Sequence, residues 1–583
     1  MSAAETLPAL LERAAAFARG VRFLDAAEGD GTRLSYAELA ARARGVAGAL
    51  QSRGLARGDR VAIVLPTAPA FYDAFFGALR AGLVPVPLYP PVRLGRLDEY
   101  QERTAAMLRA SGARLVLTDR RIRRLLGRAV ARAGGVACEA VDGLSVRAPS
   151  SVEPSPDDVA FVQFSSGTTA APKPVALTHR QVLANVAAIR GALLEAWPES
   201  AAFAHVGVSW LPLYHDMGLV GAVLVALSRP GELVLIPPEL FVARPAVWLR
   251  AVSRFGGTIS PAPNFAYALC AERVRDDELA GVDLSSWVVA LNGAEPVTPE
   301  ALARFVERFA PYGFRPEALT PVYGLAEATL AVTFSPLRER FRRACFDRDA
   351  LVREGVARAA PDGQPLASLG RPLPGFAVRI AGRSGAPLPD GRLGRVLVRG
   401  PSVMRGYLGL PAATAAALRG GWLDTGDTGF LHDGELYLYG RAKDLIVLRG
   451  RNYAPQDVEQ AIEGVAGVRA GCSAAVGLLS PRGHGEELVI FVERARGAGE
   501  PDAAVAERVR RRVAARTGLA PAAVHVLAPG TLPRTSSGKI RRGEAARRFL
   551  AGELRPPRRA YALALARELL RSQLAFARSP RAR

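Results

Sequence analysis

Residues 60–88 read RVAIVLPTAPAFYDAFFGALRAGLVPVPL, two short apolar runs on either side of a longer segment. The runs at 60–65 and 83–88 have the length of buried strands, and 68–81 has helical spacing. A parallel strand pair needs a crossover connection, and a helix between two strands supplies it. This stretch therefore predicts an α/β fold.

The same alternation recurs along the chain. Ser35 and Glu38 have the spacing of a capping box, which predicts a helix at 36–52. Further strands are predicted at 159–164, 233–236 and 288–292, and a further helix at 179–193. A large N-terminal domain of layered α/β sheets is expected, with parallel strands.

The pattern changes after about residue 370. Short β-like runs at 377–380, 395–398 and 435–439, broken by Gly and Pro, predict an antiparallel β-rich subdomain at about 370–440. From 441 a new alternation of helices and strands predicts a small mobile α+β C-terminal domain at 441–549. The N-terminal domain then covers 1–440.

The last segment, 550–583, is predicted to be a basic helical tail. Residues 555–583 hold eight arginines and one glutamate, with several leucines among them. One interpretation is a basic amphipathic helix that meets a membrane or a partner. The other is a terminal helix packed on its own domain.

The composition is that of a folded globular protein. Of the 583 residues, 49% are apolar and 22% are charged, and the length predicts two or three domains. The N-terminus does not resemble a secretory signal, and no apolar stretch approaches the about 20 residues of a membrane span. Four scattered cysteines match no metal or disulfide pattern, so a reducing cytoplasm is the predicted location.

The net charge of +21 raises the question of nucleic-acid binding. The arginines are spread along the whole chain with few aromatics among them, and no nucleic-acid-binding motif is present. We therefore expect no nucleic-acid partner. Attraction to an acidic protein remains open.

The clearest local signal is the loop at 164–173, FSSGTTAAPK, which follows a predicted strand. Small hydroxyl residues allow backbone N–H groups to approach phosphate closely, and Lys173 offsets its charge. The loop lacks the spacing of a Walker loop and of a dinucleotide-binding fingerprint. Its composition alone predicts either a phosphate loop or a polar turn.

Other motifs accompany this loop: YGLAE at 323–327, GWLDTGD at 421–427, GRAKD at 440–444 and PRTSSGK at 533–539. In order and spacing the set resembles the adenylate-forming superfamily of acyl-CoA synthetases, adenylation domains and luciferases. VSWLPLYHDMG at 208–218, SPAPNFAY at 260–267 and NGAEP at 292–296 resemble the fatty acyl-AMP ligases within it. So does the extra stretch at about 337–369, which resembles the insertion of that group.

The resemblance implies a role for particular residues. Lys539 is the expected catalytic lysine, Glu327 the magnesium ligand, and His215 a catalytic or acyl-wall residue, although it could be a satisfied core histidine. Lys443 is the expected hinge. The implied acyl pocket is Trp210, Asn264, Phe265 and Tyr267, and for Trp210, Phe265 and Tyr267 a place in the general core is the alternative. The implied ATP- and AMP-binding residues are Ser165, Ser166, Gly167, Thr168, Thr169, Lys173, Gly293, Ala294, Glu295, Tyr323, Gly324, Asp427 and Arg441.

These roles agree with what the reaction needs. A carboxylate must attack the α-phosphorus of ATP, so two anions meet and cationic groups with Mg²⁺ must stabilise the crowded state. A hard cation prefers a carboxylate such as Glu327. Tyr323 offers a flat face for adenine, and Asp427 is an acceptor suited to ribose hydroxyls.

The implied function is the ATP-dependent activation of a medium- or long-chain fatty acid to acyl-AMP, with release of pyrophosphate. The acyl group would then pass to the phosphopantetheine arm of a separate acyl carrier protein. A fatty acyl-CoA ligase is the nearest alternative, and the insertion argues against it. A non-catalytic adenylate-binding homologue is another, because Ala170 and Pro174 replace glycines of the family's phosphate loop.

Overall fold

The structure is a computed structural model. It describes residues 5–91, 96–145, 147–148, 152–165, 172–199, 205–448, 450–480, 485–495, 497, 499–535, 538–557 and 562–578. In the last helix, side chains are described for residues 569–577.

The strand–helix–strand prediction for residues 60–88 is confirmed. Strands Arg60–Val64 and Val84–Leu88 pair in parallel, and helix Pro69–Arg80 crosses over between them. They belong to a four-stranded sheet in which every pair is parallel. Its spatial order is Val84–Leu88, Arg60–Val64, Ala113–Thr118 and Ala137–Ala140.

The predicted N-terminal helix is also confirmed, as Tyr36–Gln51. Ser35 Oγ accepts from the Glu38 amide at 3.2 Å, and the Ser35 amide donates to Glu38 Oε2 at 2.8 Å, which completes the capping box. This helix packs on Pro69–Arg80, where a Cβ on Gly77 would lie 2.7 Å from a methyl carbon of Val46. Glycine at position 77 therefore allows the helices to approach closely.

A nine-stranded sheet forms the centre of the fold. Its strands from Gly20–Phe23 to Leu319–Gly324 run parallel, with antiparallel strands at both edges. The spatial order is Thr32–Ser35, Gly20–Phe23, Glu232–Leu235, Val206–Ser209, Ile259–Ala262, Val289–Asn292, Leu319–Gly324, Ala331–Phe334 and Arg371–Pro372. The predicted layered α/β architecture is thus present.

The strand at 159–164 differs from the prediction in its pairing. It lies antiparallel to Pro174–Thr178, which pairs on its other side with Gly406–Tyr407. The intervening loop is too short for a parallel crossover, so the chain turns back on itself. Pro174 begins the second strand, a position where proline is tolerated.

The β-rich subdomain is an antiparallel five-stranded sheet, as predicted. Its strands are Ala377–Ala381, Gly394–Arg399, Leu418–Arg419, Trp422–His432 and Glu435–Arg441. Residues of the predicted insertion pack on this sheet. They form the antiparallel pair Arg343–Phe346 and Gln364–Ala367, and the Phe346 ring lies 4.9 Å from that of Phe430.

Residues after 441 form the predicted mixture of helices and strands. A three-stranded sheet of Val468–Leu479, Glu486–Arg494 and Ala523–Leu527 has its own apolar core. Its helices are Pro455–Ile462, Asp502–Thr517 and Arg542–Leu550, and a short hairpin, Ile446–Leu448 with Arg451–Tyr453, precedes them.

The terminal helix Ala562–Arg578 packs on helix Arg120–Arg132, near the other end of the chain. The amide of Gly127 donates to Ser572 Oγ at 2.8 Å, and the Arg123 guanidinium lies over the Phe576 ring. This corrects the second interpretation of the tail, in which the helix packs on its own C-terminal domain. Leu569 and Phe576 complete an apolar cluster of the four-stranded sheet, which periodicity alone could not assign.

The remaining helices are Leu7–Ala14, Leu97–Ser111, His179–Ala196, Val225–Ser228, Pro238–Ala243, Ala246–Phe255, Asn264–Arg273, Pro299–Phe309 and Pro411–Ala417, with π-helical turns at Met217–Leu224 and Ala350–Glu354. Across the described residues, no helix is both long and apolar enough to cross a membrane.

Candidate active site

A cavity of about 1540 Å³ lies between the nine-stranded sheet, the β-rich sheet and the residues after 441. It brings together most of the residues predicted from the motifs. Its lining includes Ser165, Lys173, His215, Asn264, Phe265, Ala294, Glu295, Tyr323, Gly324, Glu327, Asp427, Arg441, Lys443 and Lys539.

The parallel strands place several of these residues at one edge. Asn264 follows strand Ile259–Ala262, Glu295 follows Val289–Asn292, and Tyr323 closes Leu319–Gly324. Ligands of open α/β sheets bind at the carboxyl ends of the strands, and here these ends face the cavity. The sheet topology therefore brings together residues that are distant in sequence.

Glycines let the backbone pack tightly here. A Cβ on Gly293 would lie 2.7 Å from Val322 Cγ2, and one on Gly324 would lie 1.8 Å from the carbonyl oxygen of Leu330. Next to Gly293, Ala294 has a φ of +69°, a strained conformation for a residue with a Cβ. Such strain is common where a loop is shaped for a ligand.

The first polar cluster is built on Asp427, whose carboxylate is buried. The Tyr323 hydroxyl donates to Oδ2 at 2.7 Å, and Arg441 Nε lies 3.0 Å from Oδ1. Burial raises the pKa of Tyr323, which keeps the phenol protonated as a donor. The cluster fixes an acceptor-only carboxylate at the cavity wall with lone pairs to spare.

The second cluster joins Glu327, Tyr407 and Lys173. The Tyr407 hydroxyl donates to Glu327 Oε1 at 2.9 Å, and Lys173 Nζ lies 4.6 Å from the centre of the Tyr407 ring. Burial raises the pKa of Glu327, because a carboxylate in a poorly hydrated site favours its neutral form. A cation bound at Glu327 would offset this cost.

Lys539 enters the cavity from the residues after 441. Its amide donates to Thr535 Oγ1 at 3.0 Å, and its carbonyl accepts from the Thr535 amide at 2.8 Å. Burial lowers the pKa of Lys539, while the negative charges of Asp216, Glu295 and Asp427 oppose that effect. Lys539 is thus a partly buried cation on the cavity wall.

Glu295 and Asn264 hold one wall together. Glu295 Oε1 accepts from the Phe265 amide at 2.5 Å. Asn264 Nδ2 donates to Thr298 Oγ1 at 2.8 Å, and Asn264 Oδ1 accepts from the Thr298 amide at 3.2 Å. These hydrogen bonds fix the 293–298 loop against the start of helix Asn264–Arg273.

Two of the four residues predicted for the acyl pocket lie elsewhere. Tyr267 is fully buried against Trp248 and donates to the Leu291 carbonyl at 3.1 Å, so it belongs to the core. Trp210 stacks on Phe241 at 4.0 Å, behind the cavity-lining Phe265. Asn264 and Phe265 do line the cavity.

Apolar residues that no motif indicated also line the cavity, among them Gly221, Leu330, Ala331 and Phe334, and they adjoin Met217 of the motif at 208–218. Asp216 and Tyr407 also line the cavity and were missed. Asp216 adjoins His215 in a motif already quoted, which was an available signal. Tyr407 stands in a Gly-Tyr pair that nothing in the sequence connects to Glu327.

Part of the predicted phosphate loop is outside the described residues, namely Ser166, Gly167, Thr168 and Thr169, together with Ala170. The two ends of the loop are described. The Ser165 amide donates to the Lys173 carbonyl at 2.9 Å, and the Lys173 amide donates to Ser165 Oγ at 3.3 Å. Both ends open into the cavity.

A model of a family described as AMP-binding enzyme matches residues 11–408. A Caulobacter vibrioides protein named as an acyl-CoA synthetase is 37% identical over 531 residues, covering 89% of this chain and 91% of that protein. The long-chain-fatty-acid–AMP ligase FadD32 of Mycolicibacterium smegmatis is 35% identical, covering 92% of each chain. The medium-chain-fatty-acid–[acyl-carrier-protein] ligase JamA of Moorena producens is 33% identical, covering 91% of this chain and 92% of that protein.

Solved structures agree with these relatives. A structure from a study of fatty acyl-adenylate ligases of E. coli and L. pneumophila superposes with a TM-score of 0.87 at 34% identity. The match covers 94% of this chain and 98% of that chain.

Proposed function

Because the chain belongs to the AMP-binding enzyme family, we propose that it converts a medium- or long-chain fatty acid and ATP into fatty acyl-AMP and pyrophosphate. The acyl group then passes to the phosphopantetheine arm of a separate acyl carrier protein. The observation that carries the proposal is the meeting of Lys539, Asp427 and Glu327 in one cavity that also has an apolar wall.

In the first half-reaction, a carboxylate oxygen of the fatty acid attacks the α-phosphorus of ATP. A phosphorus–oxygen bond forms to the acid and another breaks, releasing pyrophosphate. The Lys539 ammonium is the group suited to contact both the carboxylate and the transferring phosphate, because each carries negative charge. By holding the reactants in line it also removes much of the entropic cost of their encounter.

The nucleoside is held by the first polar cluster. Asp427 accepts from ribose hydroxyls with lone pairs that Tyr323 and Arg441 leave free, and the Tyr323 ring offers a face to adenine. Residues 293–295 form the adjoining loop. The ends of the phosphate loop, Ser165 and Lys173, open toward the triphosphate.

Glu327 fits a magnesium ion. Mg²⁺ is usually held by one or two carboxylates together with phosphate oxygens and water, and Glu327 is a partly buried carboxyl group on the cavity wall. When bound, the ion neutralises phosphate charge. The Tyr407 hydroxyl orients Glu327 for this role at 2.9 Å.

The fatty chain occupies the apolar part of the cavity, near Phe265, Met217 and Phe334. An apolar wall favours an alkyl chain over a polar acid, because burial of each methylene contributes about 0.8 kcal/mol. A relative whose name specifies a medium-chain acid and one whose name specifies a long-chain acid are both similar to this chain. The depth of the apolar part of the cavity sets the length of the fatty acid that is preferred.

The second half-reaction requires Lys539 to move away from the acyl-AMP. The thiol sulfur of the carrier arm attacks the acyl carbon, the bond to AMP breaks, and the thiol proton is released to solvent. We infer that residues 441–549 are a separate domain that rotates about Lys443, an exposed residue between strands Glu435–Arg441 and Ile446–Leu448.

The proposal is tested by incubating the purified chain with ATP, Mg²⁺ and fatty acids of graded length, and detecting pyrophosphate and acyl-AMP. A phosphopantetheinylated carrier protein and CoA are then added in parallel. We expect acyl-AMP with medium or long acids and acyl transfer to the carrier. Absence of acyl-AMP with every acid would refute the proposal.

An acyl-CoA ligase is the second candidate, favoured by the name of the Caulobacter vibrioides relative. The same assay separates the two functions, because efficient formation of acyl-CoA identifies CoA as the acceptor. A non-catalytic homologue is disfavoured, since a binding protein has no need of a lysine in the same cavity as Asp427 and Glu327.

A further inference from the structure

The terminal helix Ala562–Arg578 has two different faces. The side chains that pack on helix Arg120–Arg132, or on the apolar cluster beside it, are Leu569, Ser572 and Phe576. Leu570 and Leu574 are instead 58% and 47% exposed. They stand one helical turn apart, so they are neighbours on the helix surface. An apolar pair therefore remains on the outside of a helix whose other side is packed.

The surroundings of this pair are strongly basic. Helix Arg120–Arg132 has six arginines and no acidic residue, and the terminal helix adds three arginines and one glutamate. The acidic partners of three of the six arginines are Asp98, Glu102 and Asp142. With those partners counted, the positive charges still exceed the negative ones by five.

The two helices lie side by side and run antiparallel. Gly127 meets Ser572, and one turn further along, the Arg123 guanidinium lies over the Phe576 ring. The exposed residues of the two helices therefore border each other. This surface, here called the basic face, consists of Arg121, Arg124, Leu570, Arg571 and Leu574.

The chemistry of the basic face indicates its partner. Leucines next to arginines are typical of a helix that lies in the interface of a lipid bilayer. Nucleic-acid phosphates would use only the arginines, and the exposed side chains described for the terminal helix include no aromatic ring on which a base could stack. The residues that dominate protein contacts are enriched in Trp and Tyr, and leucine is under-represented among them.

We propose that the basic face binds an anionic lipid bilayer. Leu570 and Leu574 enter the boundary between head groups and acyl chains, and Arg121, Arg124 and Arg571 contact lipid phosphates. The proposal goes beyond acyl-AMP formation and does not depend on it. Fatty acids dissolve in bilayers, so binding places the cavity close to a store of the proposed substrate.

The test is co-sedimentation of the full chain with vesicles of phosphatidylcholine alone and with vesicles that also contain phosphatidylglycerol. We expect binding to the anionic vesicles only, and weaker binding as salt is added, because salt screens the attraction. Arg121→Gln combined with Arg124→Gln should lower the partition coefficient about 25-fold, because each arginine near an anionic surface contributes about fivefold.

The leucines are tested separately. Leu570→Gln combined with Leu574→Gln should lower the partition coefficient about tenfold, because apolar area no longer leaves water on binding. The remaining binding should keep the salt dependence of wild type, since the arginines are still present. A variant with all four substitutions should bind no better than the phosphatidylcholine background.

Matched controls remove similar side chains elsewhere. Arg510→Gln combined with Arg511→Gln removes two exposed arginines from helix Asp502–Thr517, and Leu479→Gln removes an exposed leucine. Both controls should bind as wild type does. Urea unfolding of every variant checks that the fold is kept, and the midpoint should not change because the substituted side chains are exposed.

Three results would overturn the inference. They are wild type that stays in solution with anionic vesicles, equal binding to both kinds of vesicle, and basic-face variants that bind as wild type does. Polyglutamate and RNA are offered in place of vesicles, and a chain that binds either of them but no vesicle has an acidic macromolecule as its partner instead. None of these outcomes depends on acyl-AMP formation, so failure of the proposed function is detected separately.

Discussion

At the scale of single residues, the proposed chemistry depends on Lys539 and the acidic residues around it. A lysine ammonium whose pKa is lowered by burial still has Asp216, Glu295 and Asp427 to favour its charge. These carboxyl groups favour the charged form of Lys539, which is the form suited to contact the negative charge of ATP and of a fatty carboxylate.

Tyr407 offers a test at this scale, because one side chain serves two partners. Tyr407→Phe removes the hydroxyl that donates to Glu327 and keeps the ring beneath Lys173. A hydrogen bond to a charged group contributes about 1.5–3 kcal/mol, so we expect the KM for ATP to rise about tenfold and the Mg²⁺ requirement to increase.

The comparison variant is Tyr407→Leu, which removes the hydroxyl and the aromatic face together. It should be worse than Tyr407→Phe, because Lys173 also loses its cation–π contact. If both variants match wild type at limiting Mg²⁺, the hydroxyl has no role in orienting Glu327.

At the scale of elements, two contacts join distant parts of the chain. The first is the packing of helix Ala562–Arg578 on helix Arg120–Arg132, where a Cβ on Gly127 would lie 2.1 Å from the Ser572 carbonyl oxygen. The second joins strand Gln364–Ala367 to helix Pro455–Ile462, where the Gln364 amide donates to Asp457. Neither contact can be read from local sequence.

The helix contact predicts that Gly127→Ala destabilises the protein. A methyl group has no space against a backbone oxygen, and overpacking of this kind typically costs about 1–3 kcal/mol. The free energy of unfolding by urea measures the loss. Ser572→Ala, which removes only the hydroxyl, should cost about 0.5–1.5 kcal/mol.

Truncation after residue 557 supplies the control for this contact. Without the terminal helix, Gly127→Ala has nothing to clash with and should be close to neutral. An equal loss in the truncated and full chains would mean that the effect arises within helix Arg120–Arg132 itself.

The second contact predicts a pH dependence of stability. Burial raises the pKa of Asp457 to about 7, although Arg348 and the Gln364 hydrogen bond act to lower it. The unfolded value is about 3.9, so between these values the folded state holds the proton more tightly. The stabilisation is complete below the unfolded pKa and is lost as the pH rises through about 7.

Asp457→Asn removes this titration and keeps an acceptor for Gln364. Relative to wild type, the variant should therefore gain stability as the pH is raised from 4 toward 8, as measured by urea unfolding at several pH values. A stability difference that does not change with pH would contradict the shifted pKa.

At the scale of the whole molecule, the residues after 441 contact the rest of the chain on several sides of the cavity. Arg96 donates to the carbonyls of Gly530 and Thr531 at 3.1 and 3.0 Å, and Arg548 pairs with Glu99 at 2.7 Å. These contacts accompany the arrangement in which Lys539 faces Asp427. The proposed rotation for acyl transfer would have to break them, and each is a partly exposed polar contact of modest strength.

Substitution at the proposed hinge tests that rotation. Lys443→Pro fixes φ near −65° and so restricts the backbone between the two parts. We expect near-normal adenylation with acyl transfer to the carrier slowed at least tenfold, as measured by single-turnover assays of each step. Lys443→Ala removes the charge without restricting φ and should retain both steps, and equal loss in both variants would argue against a hinge.

The sequence predicted helices, strands and the order of the motifs better than it predicted which residues line the cavity and which side chains contact each other. Helix Tyr36–Gln51 and the strands that flank Pro69–Arg80 depend on local caps and periodicity, which the sequence contains directly. Tyr267 belongs to the core, which was one of the two alternatives for it, because an aromatic side chain has the same sequence pattern in a pocket wall and in a core. The partnership of Tyr407 with Glu327 depends on strands that are distant in sequence, so no local signal could have indicated it.

The most direct test of the central claim is Lys539→Ala assayed separately in the two half-reactions. Pyrophosphate release from ATP and fatty acid should fall by about 100–1000-fold, because a cation that stabilises the transferring phosphate is lost. Transfer from preformed acyl-AMP to the carrier should persist at a rate close to that of wild type. Equal losses in both steps, or an unaffected release of pyrophosphate, would contradict the assignment of Lys539 to adenylation.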